Sequence, residues 1–355
     1  MALRDLNQIS YLPVLSARPA EMVALQELPN RDKDLILPFF QLRPWVAARR
    51  LEAALERLDE AYGERPFFVT LAEPDFSGER RDVHDELDLL RDSAGGFARW
   101  CQFVEDRERL MPALQLTDVA QFDAQAARLH GLRRGVVVHI ERGAFPFIRQ
   151  IAARTSANTE LGSDTIFVLD FGRQTHTFLV HVAEAVGYIR TILEVAPNAR
   201  VAISASSFPQ SFASISEQPI FERMVFNQVR EQVGAAAIYS DRGSARAERQ
   251  AGGGRPIPRV DYVQPGSWLF FRDDGILDRA SAYAQQAQTL MASPAWRPDL
   301  RVWGTQMIER TALGDPSAIV SPARATAARI NIHLHLQTFY DNPAAAFDTD
   351  EDWTD

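Results

Sequence analysis

Cysteine is almost missing from this chain: Cys101 is the only one in 355 residues, so no intrachain disulfide and no multi-cysteine zinc site can form. A reducing cytoplasm is the compartment expected from that usage. No apolar run approaches the roughly 20 residues that cross a bilayer, and no N-terminal stretch resembles a secretion signal. Neither membrane spanning nor export is expected. Lysine is equally scarce, with Lys33 alone and arginine as every other fixed side-chain cation. The formal charge is −9, part of it in the tail Asp348-Thr349-Asp350-Glu351-Asp352, so no general attraction to nucleic acid is expected. Also missing are a Gly-x-Ser-x-Gly elbow, a phosphate loop and a dinucleotide fingerprint.

What is present is an ordinary globular composition, 46% apolar and 24% charged, enough for a substantial core. Short β-branched or aromatic runs alternate with amphipathic segments, the mark of repeated strand–helix units. The predicted strands are Tyr11–Ala17, Leu35–Leu42, Pro66–Leu71, Met111–Leu116, Gly135–Ile140, Thr165–Leu169, Val201–Ala205 and Ala236–Ser240. Between them lie predicted helices at Ala20–Glu27, Val46–Tyr62, Ala94–Arg107, Val119–Leu129, Phe147–Ser156, Thr177–Val195 and Phe221–Gln232. Eight strands joined by segments long enough for right-handed crossovers predict an α/β fold, a (β/α)8 TIM-like barrel over residues 8–245.

After Gly243–Arg255, which reads as a loop, the pattern changes. Val260–Val263 and Trp268–Arg272 flank Gln264-Pro265-Gly266-Ser267 and predict a hairpin. Helices follow at Ala280–Met291, Trp303–Leu313 and Ala323–Phe339. Residues 256–342 thus form a C-terminal hairpin-plus-helices extension, expected to pack on the barrel or mediate self-association, and 343–355 an acidic tail.

Barrel chemistry gathers at the carboxyl ends of the strands, where the loops share one face. The residues there are Arg18, Arg43, Glu73 with Asp75, Thr117 with Asp118, Glu141 with Arg142, Asp170, Ser206 with Ser207, and Asp241 with Arg242. Glu141, Asp170 and Asp241 end apolar strands, where ionised groups need partners or a metal. Their convergence would suit a divalent metal ion or paired acid–base work, which makes them the candidate catalytic groups. The alternative is pairing with Arg18, Arg142 or Arg242, or helix capping.

Ser204-Ala205-Ser206-Ser207 and Asp241-Arg242-Gly243-Ser244 occupy the ends of the seventh and eighth strands, where many barrels bind phosphate; plain turns are the competing reading. His333-Leu334-His335 has i, i+2 spacing that points two ways on a helix and one way on a strand, and no third ligand lies nearby in sequence. His176 and His181 also lack clean ligand spacing, and His139, inside a strand, reads as a core or barrel-lining histidine.

Several segments together resemble the phage-associated Beta protein family, found in bacterial and phage genomes. They are Tyr11-Leu12-Pro13-Val14-Leu15-Ser16-Ala17-Arg18-Pro19-Ala20-Glu21 with Ala24-Leu25, then Ile36-Leu37-Pro38, Ser207-Phe208-Pro209, Tyr239-Ser240-Asp241, the hairpin Tyr262 to Arg272, and Ala328–His335. The chain departs from the family pattern at Ser16, Ala20 and Gln41, where lysine, glycine and glutamate are usual. The resemblance implies a barrel-like fold and a link with phage–host conflict.

Two functions follow as expectations. In the first, the barrel binds or hydrolyses a phosphorylated or nucleotide-like ligand, with Glu141, Asp170 and Asp241 as acid–base or metal groups and Arg18, Arg142, Ser206, Ser207 and Arg242 holding the anion. In the second, the barrel is a non-catalytic scaffold in a phage-defence or immunity assembly. A homo-oligomer is compatible with either.

Overall fold

The computed structural model describes residues 3–74, 79–212, 214–246, 257–272 and 278–348. Two compact units are present, one of Met1–Arg18, Ile36–Ser206 and Phe221–Arg242, the other of Pro19–Leu35, Ser207–Ile220 and Gly243–Asp355. In chain order the elements begin with β1 (Val14–Ser16), α1 (Pro19–Gln26), α2 (Asn30–Leu35), β2 (Phe39–Leu42), α3 (Glu52–Tyr62) and β3 (Phe67–Leu71). There follow α4 (Asp82–Arg91), α5 (Ala94–Glu105), β4 (Leu110–Pro112), α6 (Phe122–Gly131), β5 (Val136–Glu141), α7 (Ile148–Asn158) and β6 (Thr165–Arg173). Next come α8 (Val182–Val195), β7 (Arg200–Ser206), β8 (Glu217–Pro219), α9 (Phe221–Val233) and β9 (Ala237–Asp241). The chain then forms β10 (Arg259–Gln264), β11 (Ser267–Arg272), α10 (Arg279–Met291), α11 (Trp303–Ala312) and α12 (Pro322–Thr338).

In the first unit the eight predicted strands occur in the predicted order, all parallel, as two four-stranded sheets, β1-β2-β3-β4 and β5-β6-β7-β9. The architecture is therefore α/β with parallel sheets. Among the described residues ladder pairing of the parallel strands stops at the two sheets, and the closed barrel expected from the sequence is not detected. Single parallel bridges occur between them: Ala113 pairs with Val137 and Tyr11 with Tyr239. At these points Leu114 N donates to Val137 O and Leu12 N to Tyr239 O, each at 2.9 Å. One apolar cluster takes a residue from every parallel strand: Val14, Phe39, Phe68, Met111, Val137, Val168, Ala202 and Ile238. Cross-sheet burial of this kind is the main stabilising term of an α/β core.

Several element bounds differ from those predicted, for local reasons. The second strand starts at Phe39, not Leu35, because Pro38 has no amide hydrogen to donate to a ladder. The helix predicted from Val46 begins at Glu52, and Ala47, at φ 59°, is in the left-handed region that a helix excludes. Short 3-10 turns at Val119–Gln121 and His176–His181 precede α6 and α8. The helix α4 was not predicted: its buried Val83, Leu87 and Leu90 are spaced correctly, but five charged residues in ten hide the pattern.

The second unit holds an antiparallel sheet, β10-β11-β8. The hairpin of β10 and β11 pairs from Arg259↔Arg272 to Gln264↔Ser267 around Pro265-Gly266, as the turn chemistry predicts. The loop residues 247–256 and the tail residues 349–355 lie outside the described residues. Helix α12 is buried almost throughout although every second residue from Arg329 to Gln337 is polar. Each finds a partner. Asn331 Nδ2 donates to Ala24 O (3.0 Å) and its Oδ1 accepts from Gly304 N (2.9 Å). His335 sets Nδ1 against Asp32 Oδ2 (2.6 Å) and Nε2 against Ala346 O (2.8 Å), and Gln337 Nε2 donates to Pro265 O. His333 stacks on Trp268. The His333-Leu334-His335 segment is thus helical, and its two histidines serve different contacts.

Cys101, on α5, is fully buried, and burial pushes its thiol up to about 11 against the opposing charge of Arg128. The folded protein is therefore expected to leave this thiol unreacted with a disulfide reagent at pH 8, and to yield one reactive thiol after denaturation. Rapid reaction of the native protein would show that α5 opens readily.

Candidate functional site

In parallel sheets, register partners point their side chains to the same side and successive residues alternate. Counting from the core residues, seven of the eight parallel strands run from apolar to polar along one face: Val14 to Ser16, Phe39 to Gln41, Phe68 to Thr70, Val137 to His139, Val168 to Asp170, Ala202 to Ser204, and Ile238 to Ser240. The register pairs Asp170 with Ser204 and Ser204 with Ser240, so three polar side chains form a row across β6, β7 and β9. Adjacent members sit one strand spacing, about 4.8 Å, apart.

Asp170 is the centre of this row and only 2% exposed. Its Oδ2 takes hydrogen bonds from His139 Nε2 (2.9 Å) and Arg242 Nη2 (2.5 Å). A register shift in β6 after Asp170, with Gly172 at φ 66°, turns the Gly172 amide back to donate to Asp170 Oδ1 (2.9 Å). Burial by itself raises the pKa of Asp170, but the Arg242 guanidinium, the His139 hydrogen bond and the Gly172 amide outweigh it. The carboxyl is held well below the usual carboxylate range. An ionised Asp170 accepts from His139 Nε2, which leaves Nδ1 of a neutral ring as the proton acceptor.

Not every polar atom of the row is satisfied. Ser204 Oγ, Ser240 Oγ and Arg242 Nε are buried without a hydrogen-bond partner among the described residues. Buried polar groups are rarely left so, and these three, two in the row and one on the arginine paired with Asp170, define the candidate site.

Asp241 stands elsewhere. One residue along β9 from Ser240, it faces the opposite side of the sheet, is fully buried, and accepts from Tyr11 OH at 2.8 Å. Tyr11 stacks on Tyr239, and the Arg223 guanidinium lies 3.2 Å over the Tyr239 ring. Burial first, and the Asp241 charge second, push both phenols well up. Asp170 and Asp241 therefore do not converge.

The other predicted residues are dispersed. Glu141 is in register with Asp170 but exposed, as is Arg142, whose charge acts on Glu184. Glu184 also accepts from Tyr188 OH (2.7 Å) and lies 2.6 Å from His181 Nδ1. Arg18 is half-buried just past β1, with its amide donating to Ser16 O. Ser206 ends β7, buried, its carbonyl accepting from Gln174 N. Ser207 belongs to the second unit, where its carbonyl accepts from Gln218 Nε2. Glu73 is exposed, Asp118 accepts from Ala120 N, and Asp75 lies outside the described residues. Among the described residues no group of three or more His, Cys, Asp or Glu side chains is placed to hold a metal ion, so the metal reading finds no donor set. No helix among them is long and apolar enough to cross a membrane.

Sequence reasoning missed Tyr11, Arg223 and Ser240 and gave His139 no chemical role. The parity count from Val137 and Ile238 is the signal that separates Ser240 from Asp241 and sets His139 beside Asp170.

Compared with known proteins, the chain matches the family model described as Beta protein over residues 11–339. It belongs to the Beta protein family. Within that family it is similar to Protein beta of Enterobacteria phage P4, with 26% identity over 337 residues, 92% of each protein. Among solved structures it is similar to the carboxyl transferase domain of Rhizobium etli pyruvate carboxylase, at 10% identity and a TM-score of 0.35, over 67% of this chain and 40% of that one. That structural likeness is too low to carry an argument.

Proposed function

We propose that the row Asp170-Ser204-Ser240 with His139 and Arg242 binds a phosphorylated or nucleotide-like molecule and hydrolyses it. The observation that carries this reading is the set of buried, unpartnered Ser204 Oγ, Ser240 Oγ and Arg242 Nε. All three can donate, and a phosphoryl oxygen accepts from such groups. In the reaction the water oxygen bonds to phosphorus as the ester P–O bond breaks; His139, held by Asp170, takes the proton of the attacking water through Nδ1 and returns it to the departing oxygen, and Asp170 acts as a positioning residue. The two parallel sheets are, in this proposal, halves of one eight-stranded barrel over residues 8–245, with 256–342 as the extension. The bridges Ala113↔Val137 and Tyr11↔Tyr239 and the core cluster drawn from all eight strands support it. The family's occurrence in a phage is the reason to propose a setting in phage–host conflict.

Unsatisfied buried hydroxyls cost stability, so they persist where function needs them. Ser204→Ala and Ser240→Ala are therefore expected to hold or raise stability, by up to about 1 kcal/mol, while weakening phosphomonoester binding by about tenfold each, the equivalent of one hydrogen bond. Thermal unfolding beside calorimetric titration with a nucleoside monophosphate checks both. Variants that melt lower yet bind as the native protein does would remove the row from the site.

A further inference from the structure

A second group of charges lies entirely within the second unit. Asp261 on β10 is 1% exposed at its side chain and is shared by two guanidiniums. Arg259 Nε and Nη2 both donate to it, Nη2 at 2.9 Å to Oδ2, and Arg329 Nη1 from α12 donates to the same Oδ2 at 2.5 Å. Among the described residues one carboxylate, Asp261, is set against these two buried or half-buried arginines, an excess of one positive charge. Arg259 Nη1 and Arg329 Nη2 have no acceptor among the described residues.

The surroundings fix the planes of these forks. Phe212 lies 3.4 Å beneath the Arg259 guanidinium and Phe208 lies 4.0 Å from that of Arg329. Ser244 Oγ accepts from Arg329 Nε at 3.4 Å, which leaves its hydroxyl hydrogen to donate. Ser244 is buried and holds φ 60°, a conformation costly for a residue other than glycine. Arg246 adds a third cation, its guanidinium on the carbonyls of Pro209 and Gln210. Burial first, with the charges of Arg259 and Arg246 adding to it and Asp261 opposing, lowers the pKa of Arg329 to about 10. Folding has gathered like charges where their repulsion is least screened.

We propose that Arg259, Arg329 and Ser244 form a second anion site, which takes a phosphate or phosphomonoester dianion independently of the row around Asp170. Guanidinium forks fit the oxygens of a phosphate in pairs, and Asp261 already occupies the place a single carboxylate would take. Arg246 sets the charge of the site. Arg259 is the residue to remove, because without it Asp261 and Arg329 remain as a matched pair.

The test is thermal unfolding of the full chain in inorganic phosphate, in ribose 5-phosphate and in chloride of equal ionic strength, for the native protein and for Arg259→Gln, Arg246→Gln and Arg242→Gln. About 10 mM phosphate is expected to raise the melting temperature by roughly 3–6 °C over chloride, if the dissociation constant is near 0.1–1 mM. Arg242→Gln, in the first unit, should keep a phosphate response and Arg259→Gln should keep its melting temperature in chloride while losing this site's share of it. A larger response to the sugar phosphate than to inorganic phosphate assigns the anion to a larger molecule, and equal responses assign it to free phosphate. Should Arg259→Gln not fold, Arg246→Gln carries the test, with a response reduced at least twofold. No response of the native protein beyond chloride overturns the proposal. So does a response lost in Arg242→Gln and kept in full in Arg259→Gln, which would leave the row around Asp170 as the anion site.

Discussion

Replacing Asp170 with Asn is expected to lower the stability of the protein by about 3–5 kcal/mol at neutral pH, a fall of roughly 10 °C in melting temperature. The amide keeps the shape of the carboxyl but not its charge. Arg242, 13% exposed at its side chain, is then left without its counter-ion, and the hydrogen bond from His139 loses its charge assistance. Leaving a buried cation unpaired costs far more than an exposed ion pair contributes. The pH dependence follows from the depressed pKa of Asp170. In the unfolded chain the carboxyl titrates near 3.9. Because the folded value is lower, the contribution is complete above that pH and is lost as pH falls through the folded value. The gap between native protein and Asp170→Asn should therefore be widest above pH 5 and narrow steadily below pH 4. A variant as stable as the native protein at pH 7 would show that the Asp170–Arg242 pair contributes nothing net.

Gly304→Ala is expected to cost about 3 kcal/mol, although alanine is the better helix former by about 1 kcal/mol. At Gly304, on α11, a Cβ would stand 2.4 Å from Ala328 O and 2.6 Å from Ile332 Cγ1 of α12. The nearer obstacle is a backbone oxygen, which cannot rotate away. Separating the helices also stretches the Gly304 N to Asn331 Oδ1 hydrogen bond, and the same Asn331 holds Ala24 O of α1. Chemical denaturation of the variant measures the cost. An unchanged or raised midpoint would mean that α11 and α12 can part without loss.

Much of the fold was legible because a strand in a parallel sheet declares itself by composition alone. Val136–Ile140 and Thr165–Leu169 are nearly continuous β-branched or large apolar runs. Contacts made far along the chain were not legible. Pro19–Leu35 joins the second unit through pairs such as Asn331 with Ala24 and His335 with Asp32, which no local pattern announces. The site was half legible. Taking the residue just past each predicted strand finds Asp170 and Asp241 alike, but side chains alternate, and of the two only Asp170 shares a face with Ser204 and Ser240. Arg242 was legible as a residue just past the eighth strand, but its pairing with Asp170, 72 residues away in the chain, was not.

Whether the polar row around Asp170 holds a phosphoryl group is decided by where a bound phosphate rests. The most direct measurement is a crystal structure of the protein grown with a saturating nucleoside monophosphate. An ordered phosphate is expected within hydrogen-bonding distance of Ser204 Oγ, Ser240 Oγ and Arg242 Nε, with His139 Nδ1 facing it. Ordered waters or backbone carbonyls satisfying those three atoms, with no phosphate beside them, would contradict it.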